Sequence, residues 1–109
     1  MRVLFDQATP VPIRPYLTGH TVSTAFQMGW DKLKNGELLA AAQQAGFDLF
    51  LTTDKNMRYQ QNFAARTIAI VVLGQQQWPH VRPHIQRVVD AVNAARRGSF
   101  AEVDIPYAD

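Results

Sequence analysis

The stretch TIAIVVL, Thr67 to Leu73, is the most continuous apolar run in the chain. It shows no alternation of apolar and polar residues, so neither face of it can meet water. A short run of this kind, rich in β-branched residues, reads as a central strand covered on both sides. Such a strand demands a layer above it and a layer below it, which confines the chain to a three-layer α/β domain. The chain has 109 residues, of which 47% are hydrophobic. That is one small domain with material for a real core.

The other segments fit this frame. Arg2 to Asp6 reads as a buried strand, His20 to Ser23 as a shorter one, and Leu49 to Thr52 as a third. With Thr67 to Leu73 they make a mostly parallel central sheet of about four strands flanked by helices. Pro10 to Leu17 reads as a short helix with a proline in its first turn. Glu37 to Ala45 has strong helix composition, with Asn35 as its expected N-cap and Gly46 as its stop. Val81, Ile85, Val88, Val92 and Ala95 step by four, three, four and three, which predicts one helix from Pro79 or Pro83 to Arg97. The domain is expected over 1–97. The tail, 98–109, holds a possible edge strand at Phe100 to Ile105, because Pro106 cannot extend a ladder.

In a parallel sheet all the carboxyl ends lie on one edge, and ligands bind there. Asp6 closes the first strand, and Asp54 follows the third in LFLTTDKN. Glu37 lies in the first turn of the helix that feeds the third strand. That helix runs antiparallel to the strands, so its start lies at the same edge. Three acids from distant parts of the chain are therefore expected on one rim. Such a cluster is tolerable mainly when a cation neutralises it, and oxygen ligands suit Mg²⁺ or Mn²⁺. Each acid also has a purely structural reading. Asp6 can cap a turn, Glu37 can favour a helix N-terminus, and Asp54 can make an Asx turn.

These residues resemble a family. Asp6-Gln7-Ala8-Thr9-Pro10 is similar to a D-E-N-x-P stretch, and Gly19-His20-Thr21-Val22 to G-H-(D/T)-V. Asn35-Gly36-Glu37-Leu38-Leu39 is similar to an acidic-x-E-(I/L)-L helix start. Leu51 to Met57 is similar to V-x-T-x-D-x-(D/N)-(F/M). Together they resemble the small PIN-like proteins, specifically the short Mut7-C-like group that includes toxin components of toxin–antitoxin pairs. The resemblance covers roughly residues 1–95. It implies a metal-dependent nuclease, most simply a ribonuclease, with Asp6, Glu37 and Asp54 as its catalytic carboxylates and metal ligands. It also implies Mg²⁺ or Mn²⁺ as cofactor, an antitoxin protein as a partner, and homodimers. The chain departs from the pattern at Asn56, where an acid is common, and at Asn35 and Gly36, where acids often precede the Glu. Asn56 still offers a carbonyl oxygen to a metal. Asp31, six residues before Glu37, either swings into the pocket from a loop or faces solvent, the second being the simpler reading.

Thr52 and Thr53 can hydrogen-bond a carboxylate or a phosphate. Lys55 and Arg58 can contact a nucleic-acid backbone, and Tyr59, Trp30 and Phe63 can stack on unpaired bases or serve as core. The charge pattern has two readings, attraction of a polyanionic partner or a solvated helix face with scattered surface arginines: residues 1–54 carry −1, residues 55–97 carry +6, and the last twelve carry −3. His80 and His84 have helical i, i+4 spacing but no third zinc ligand. The chain has no cysteine. That removes disulfides and thiolate metal sites, and fits a reducing compartment. With no apolar stretch near the ~20 residues that span a bilayer, the chain reads as soluble and cytoplasmic, with no membrane partner. The second reading is a PIN-like domain without useful catalysis that acts as a protein- or nucleic-acid-binding partner. Asn56 favours it.

Overall fold

The computed structural model describes residues 1–60 and 66–106. Five strands form one sheet in which every neighbouring pair is parallel. They are β1 (Arg2–Phe5), β2 (Thr21–Thr24), β3 (Leu49–Thr52), β4 (Ala69–Leu73) and β5 (Phe100–Val103), in the order β2-β1-β3-β4-β5. The count exceeds the expected four because the C-terminal segment completes a full edge strand, with Val71 beside Ala101 and Leu73 beside Val103. That segment belongs to the same sheet as the rest of the chain.

Burial follows position in the sheet. All of β3 and β4 is buried, as is β1 after Arg2, while the edge strands β2 and β5 are mostly part-exposed. Alternate residues feed two cores. On one face Val3, Phe5, Leu49, Leu51 and Val71 pack against Ile13, Val81, Val88 and Val92. On the other, Leu4, Phe50, Ile70 and Val72 pack against Leu38, Leu39, Ala42, Phe47 and Met57. The first face is covered by a 3₁₀ helix (Val11–Tyr16), α2 (Trp78–Val81) and α3 (Ile85–Ala94). The second is covered by α1 (Asn35–Gln44) and a 3₁₀ helix over Lys55–Gln60. The result is the three-layer α/β domain that the apolar run demands.

Two details differ from the sequence expectation. The helix expected from Pro79 or Pro83 to Arg97 is broken. The chain passes through α2, then a 3₁₀ turn at Arg82–His84, and only then into α3, which ends at Ala94. Pro83 has no N–H to donate, and its ring would clash with the carbonyl four residues back, so a helix that meets it kinks or breaks, here into a 3₁₀ turn. The N-cap of α1 is Lys34, with extended backbone, and Asn35 is already helical. The Asn35 side chain is committed elsewhere. Gly46 ends the turn after α1 at φ +85°, a left-handed conformation that a side chain would strain. Among the described residues, no helix is long and apolar enough to cross a membrane.

Candidate functional site

β1 and β3 are neighbours with Leu4 beside Phe50 and Phe5 beside Leu51. Asp6 follows β1 directly, and strand alternation puts it on the Leu4 face. Thr52 stands on the Phe50 face of β3, so both side chains look toward the α1 layer. This is also where the sheet order reverses. From β1 the chain goes outward to β2, then returns past β1 to build β3, β4 and β5 on the other side. The crevice beyond the carboxyl ends of two such strands is where open parallel sheets bind ligands.

Asp6 is almost fully buried, at 5% exposure. Its carboxyl is held by three groups. The Thr9 N–H donates to Oδ1 at 3.0 Å, the Thr9 hydroxyl lies against the same oxygen, and the Thr52 hydroxyl lies against Oδ2. The Thr52 oxygen also accepts the Asp54 N–H at 3.1 Å. One hydroxyl therefore ties the carboxyl of Asp6 to the backbone of Asp54. The carboxylate of Asp54 accepts from the Asn35 amide at 2.6 Å and from the Asn56 N–H at 2.9 Å. The second of these is the Asx turn that a D-K-N sequence favours.

Burial raises the pKa of Asp6, and the hydrogen bonds from Thr52 and Thr9 offset this only in part. The Thr9 hydroxyl lies within bonding distance of both Asp6 Oδ1 and the Leu51 carbonyl, at 3.0 Å from the latter. It has one hydrogen to give. That hydrogen goes to one of the two at a time, and the Leu51 carbonyl also accepts the Asp6 N–H at 3.3 Å. An acid whose folded pKa lies above its unfolded value favours folding below the unfolded pKa, and loses that contribution as pH rises through the folded pKa. Melting temperatures of the wild type and Asp6→Asn are therefore expected to diverge as pH rises from the ordinary carboxyl range to neutrality, with the wild type losing ground. Parallel curves would contradict this.

Glu37 lies at the expected edge but is exposed, and its Oε1 accepts the Lys34 N–H at 3.2 Å. It closes the first turn of α1, which satisfies one of the helix's unpaired donors. Thr53 is half-buried beside the pair. Lys55, Asn56 and Arg58 are exposed on the 3₁₀ helix, where Arg58 pairs with Glu102 of β5 at 3.4 Å. Lys55, Arg58, Gly74 and Glu102 line a shallow cleft of about 200 Å³. Asp31 is exposed, and its backbone carbonyl accepts from the Gln7 side chain. Trp30 packs edge-on against Phe47, which assigns it to the core. Phe63 lies outside the described residues.

Two contributors escaped the sequence. Thr9 supplies two contacts to Asp6, and the only sign of it is the D-x-x-T spacing of a short side-chain turn. Asn35 grips Asp54, a role hidden behind its position at a helix start. Among the described residues, no three His, Cys, Asp or Glu side chains gather into a metal-holding group. The chemistry of the pair still suits one kind of ion. Mg²⁺ is commonly held by one or two carboxylates, with waters and substrate phosphates completing its shell. Asp6 and Asp54 are two such carboxylates, and the Asp6 oxygens reach an ion once the Thr52 hydroxyl turns away from Oδ2. A nearby cation favours the ionised form of Asp6.

No family model, no curated protein and no solved structure matches this chain.

Proposed function

We propose that the chain is a PIN-like nuclease that cleaves RNA in the cytoplasm with Mg²⁺ or Mn²⁺, its reacting centre at Asp6 and Asp54. The observation that carries this reading is the Thr52 hydroxyl, which links the two acids at the point where the sheet order reverses. A hard divalent ion held there would polarise a phosphodiester and lower the pKa of its bound water.

The chain's own groups set up that chemistry. Asn35 and the Asn56 N–H fix the carboxylate of Asp54, so it meets a ligand without reorganising. Burial raises the pKa of Asp6, so a cation beside it would favour its ionised form. Thr52 can pass its hydroxyl hydrogen from Asp6 to a phosphate oxygen. Glu37 fixes the start of α1, and with it Asn35. Lys55 and Arg58 stand beside the pair to hold the RNA backbone by phosphate contact. Arg58 shares its guanidinium with Glu102, and because the contacts to RNA are to phosphates, binding weakens as salt rises.

A specific observation favours the second reading, a binding domain without catalysis. Glu37 is spent on a helix cap and Asp6 is sealed by hydroxyls. The protein partners would be an antitoxin or a second copy of this chain, and β5 offers the sheet edge on which either could pair. Labelled RNA incubated with purified protein and Mn²⁺ separates the two readings. Cleavage that stops in EDTA supports the nuclease. Binding without cleavage under any divalent ion supports the binding domain.

A further inference from the structure

The two most exposed of the large apolar side chains among the described residues are Tyr59, at 77%, and Phe26, at 74%. Both lie beyond the carboxyl ends of strands, one on each side of the acidic pair. Tyr59 belongs to the 3₁₀ helix that starts immediately after Asp54. Phe26 follows β2, and its neighbour Ala25 donates its N–H to the carbonyl of Phe5, the residue before Asp6, at 2.9 Å. The Gln7 side chain, on the other side of Asp6, reaches the carbonyl of Asp31. The segment that carries Phe26 is thus tied to the residues on both sides of the candidate acid, Phe5 by its backbone and Gln7 by its side chain.

Phe26 is held outward by a closely bonded turn. Thr24 and Gln27 exchange hydrogen bonds, the Thr24 N–H to Gln27 Oε1 at 3.0 Å and the Gln27 N–H to Thr24 Oγ1 at 3.1 Å. Arg14 grips the same Gln27 oxygen at 2.7 Å, and the Gly29 N–H bonds the carbonyl of Phe26 itself at 3.0 Å. Gly29 completes the turn at φ +76°. A turn fixed in this way presents the ring with little backbone entropy left to lose on binding.

We propose that Phe26 and Tyr59 are stacking platforms for the bases of single-stranded RNA that flank the cleaved phosphodiester. The proposal rests on the nuclease reading for the position of that bond. Its chemistry stands on two exposed rings, one of which, Tyr59, shares its 3₁₀ helix with the cations Lys55 and Arg58, the combination that binds unpaired strands. Each base offers a flat face to an aromatic ring while the cations follow the phosphates. A duplex hides those faces. The platforms therefore make the site selective for unpaired strands with little dependence on base identity.

The test is fluorescence anisotropy in EDTA, where no hydrolysis intervenes, with a labelled single-stranded oligoribonucleotide of about twelve nucleotides and a duplex of the same length. Tyr59→Leu and Phe26→Leu keep apolar bulk and remove the aromatic face. Each is expected to weaken binding about fivefold or more, while Tyr59→Phe binds like the wild type and the duplex binds more weakly than the single strand. Both positions are exposed, so circular dichroism should show the fold intact. Wild-type affinity in both leucine variants, or equal affinity for duplex and single strand, overturns the proposal. Adding Mn²⁺ keeps the two readings apart. Stacking-dependent binding without cleavage sinks the nuclease and spares the platforms. Cleavage with unchanged affinity in both leucine variants does the opposite.

Discussion

Asp54→Asn is expected to abolish metal-dependent RNA cleavage while leaving RNA binding intact or slightly tighter. Asn is nearly isosteric with Asp and can keep one oxygen for the Asn56 N–H or the Asn35 amide, so the local turn survives. What it loses is the charge. A divalent ion acting as a Lewis acid contributes several kcal/mol to the transition state. Losing a ligand that holds it corresponds to a rate loss of roughly 10²–10⁴. RNA affinity moves the other way because a negative charge has left a surface that must meet a polyanion. The measurement is single-turnover cleavage of labelled RNA in Mn²⁺, with affinity determined separately in EDTA. Undiminished cleavage in the variant would place the chemistry at another site or in a contaminant.

Phe50→Ala is expected to cost about 3–5 kcal/mol. Phe50 is fully buried in the central strand β3, between Leu4 of β1 and Ile70 of β4, and beneath Leu38, Leu39 and Ala42 of α1. Truncation leaves a cavity that a parallel sheet pinned on both sides cannot close. A domain of this size has a total stability of about 5–15 kcal/mol, so the variant should be close to unfolding. Phe26→Ala, on an exposed turn, should change stability by less than about 0.5 kcal/mol. Urea unfolding of the three proteins checks both values. A small effect at Phe50 would mean that the α1 side of the core is loosely packed.

The position of Asp6 was legible because an apolar run that ends in a carboxylate has few other places to put it. The central strands were legible for the same reason: β1, β3 and β4 are covered on both faces and contain little but apolar residues. The order of the strands was not. It depends on which way each crossover turns, and residues within a strand do not record that. Helix ends were half legible. Gly46 marked the stop of α1, but Asn35, a residue that suits a cap, was drawn one position into the helix because its amide bonds Asp54. Glu37 shows the limit of reasoning by edge alone. A helix start at the right rim carries a carboxylate there, yet the same carboxylate can turn back onto its own backbone, as it does toward Lys34. Thr52 was legible as a carboxylate partner but not as the partner of Asp6, which it becomes only when β1 and β3 lie side by side, and Thr9 showed only as a D-x-x-T spacing.

The central claim is that Asp6 and Asp54 together hold a divalent ion. Calorimetric titration of Mn²⁺ into the wild type, Asp6→Asn and Asp54→Asn tests it most directly. A saturable heat in the wild type that is lost or strongly reduced in both variants is the predicted result. Equal heats in all three proteins, or no saturable heat in the wild type, would contradict it.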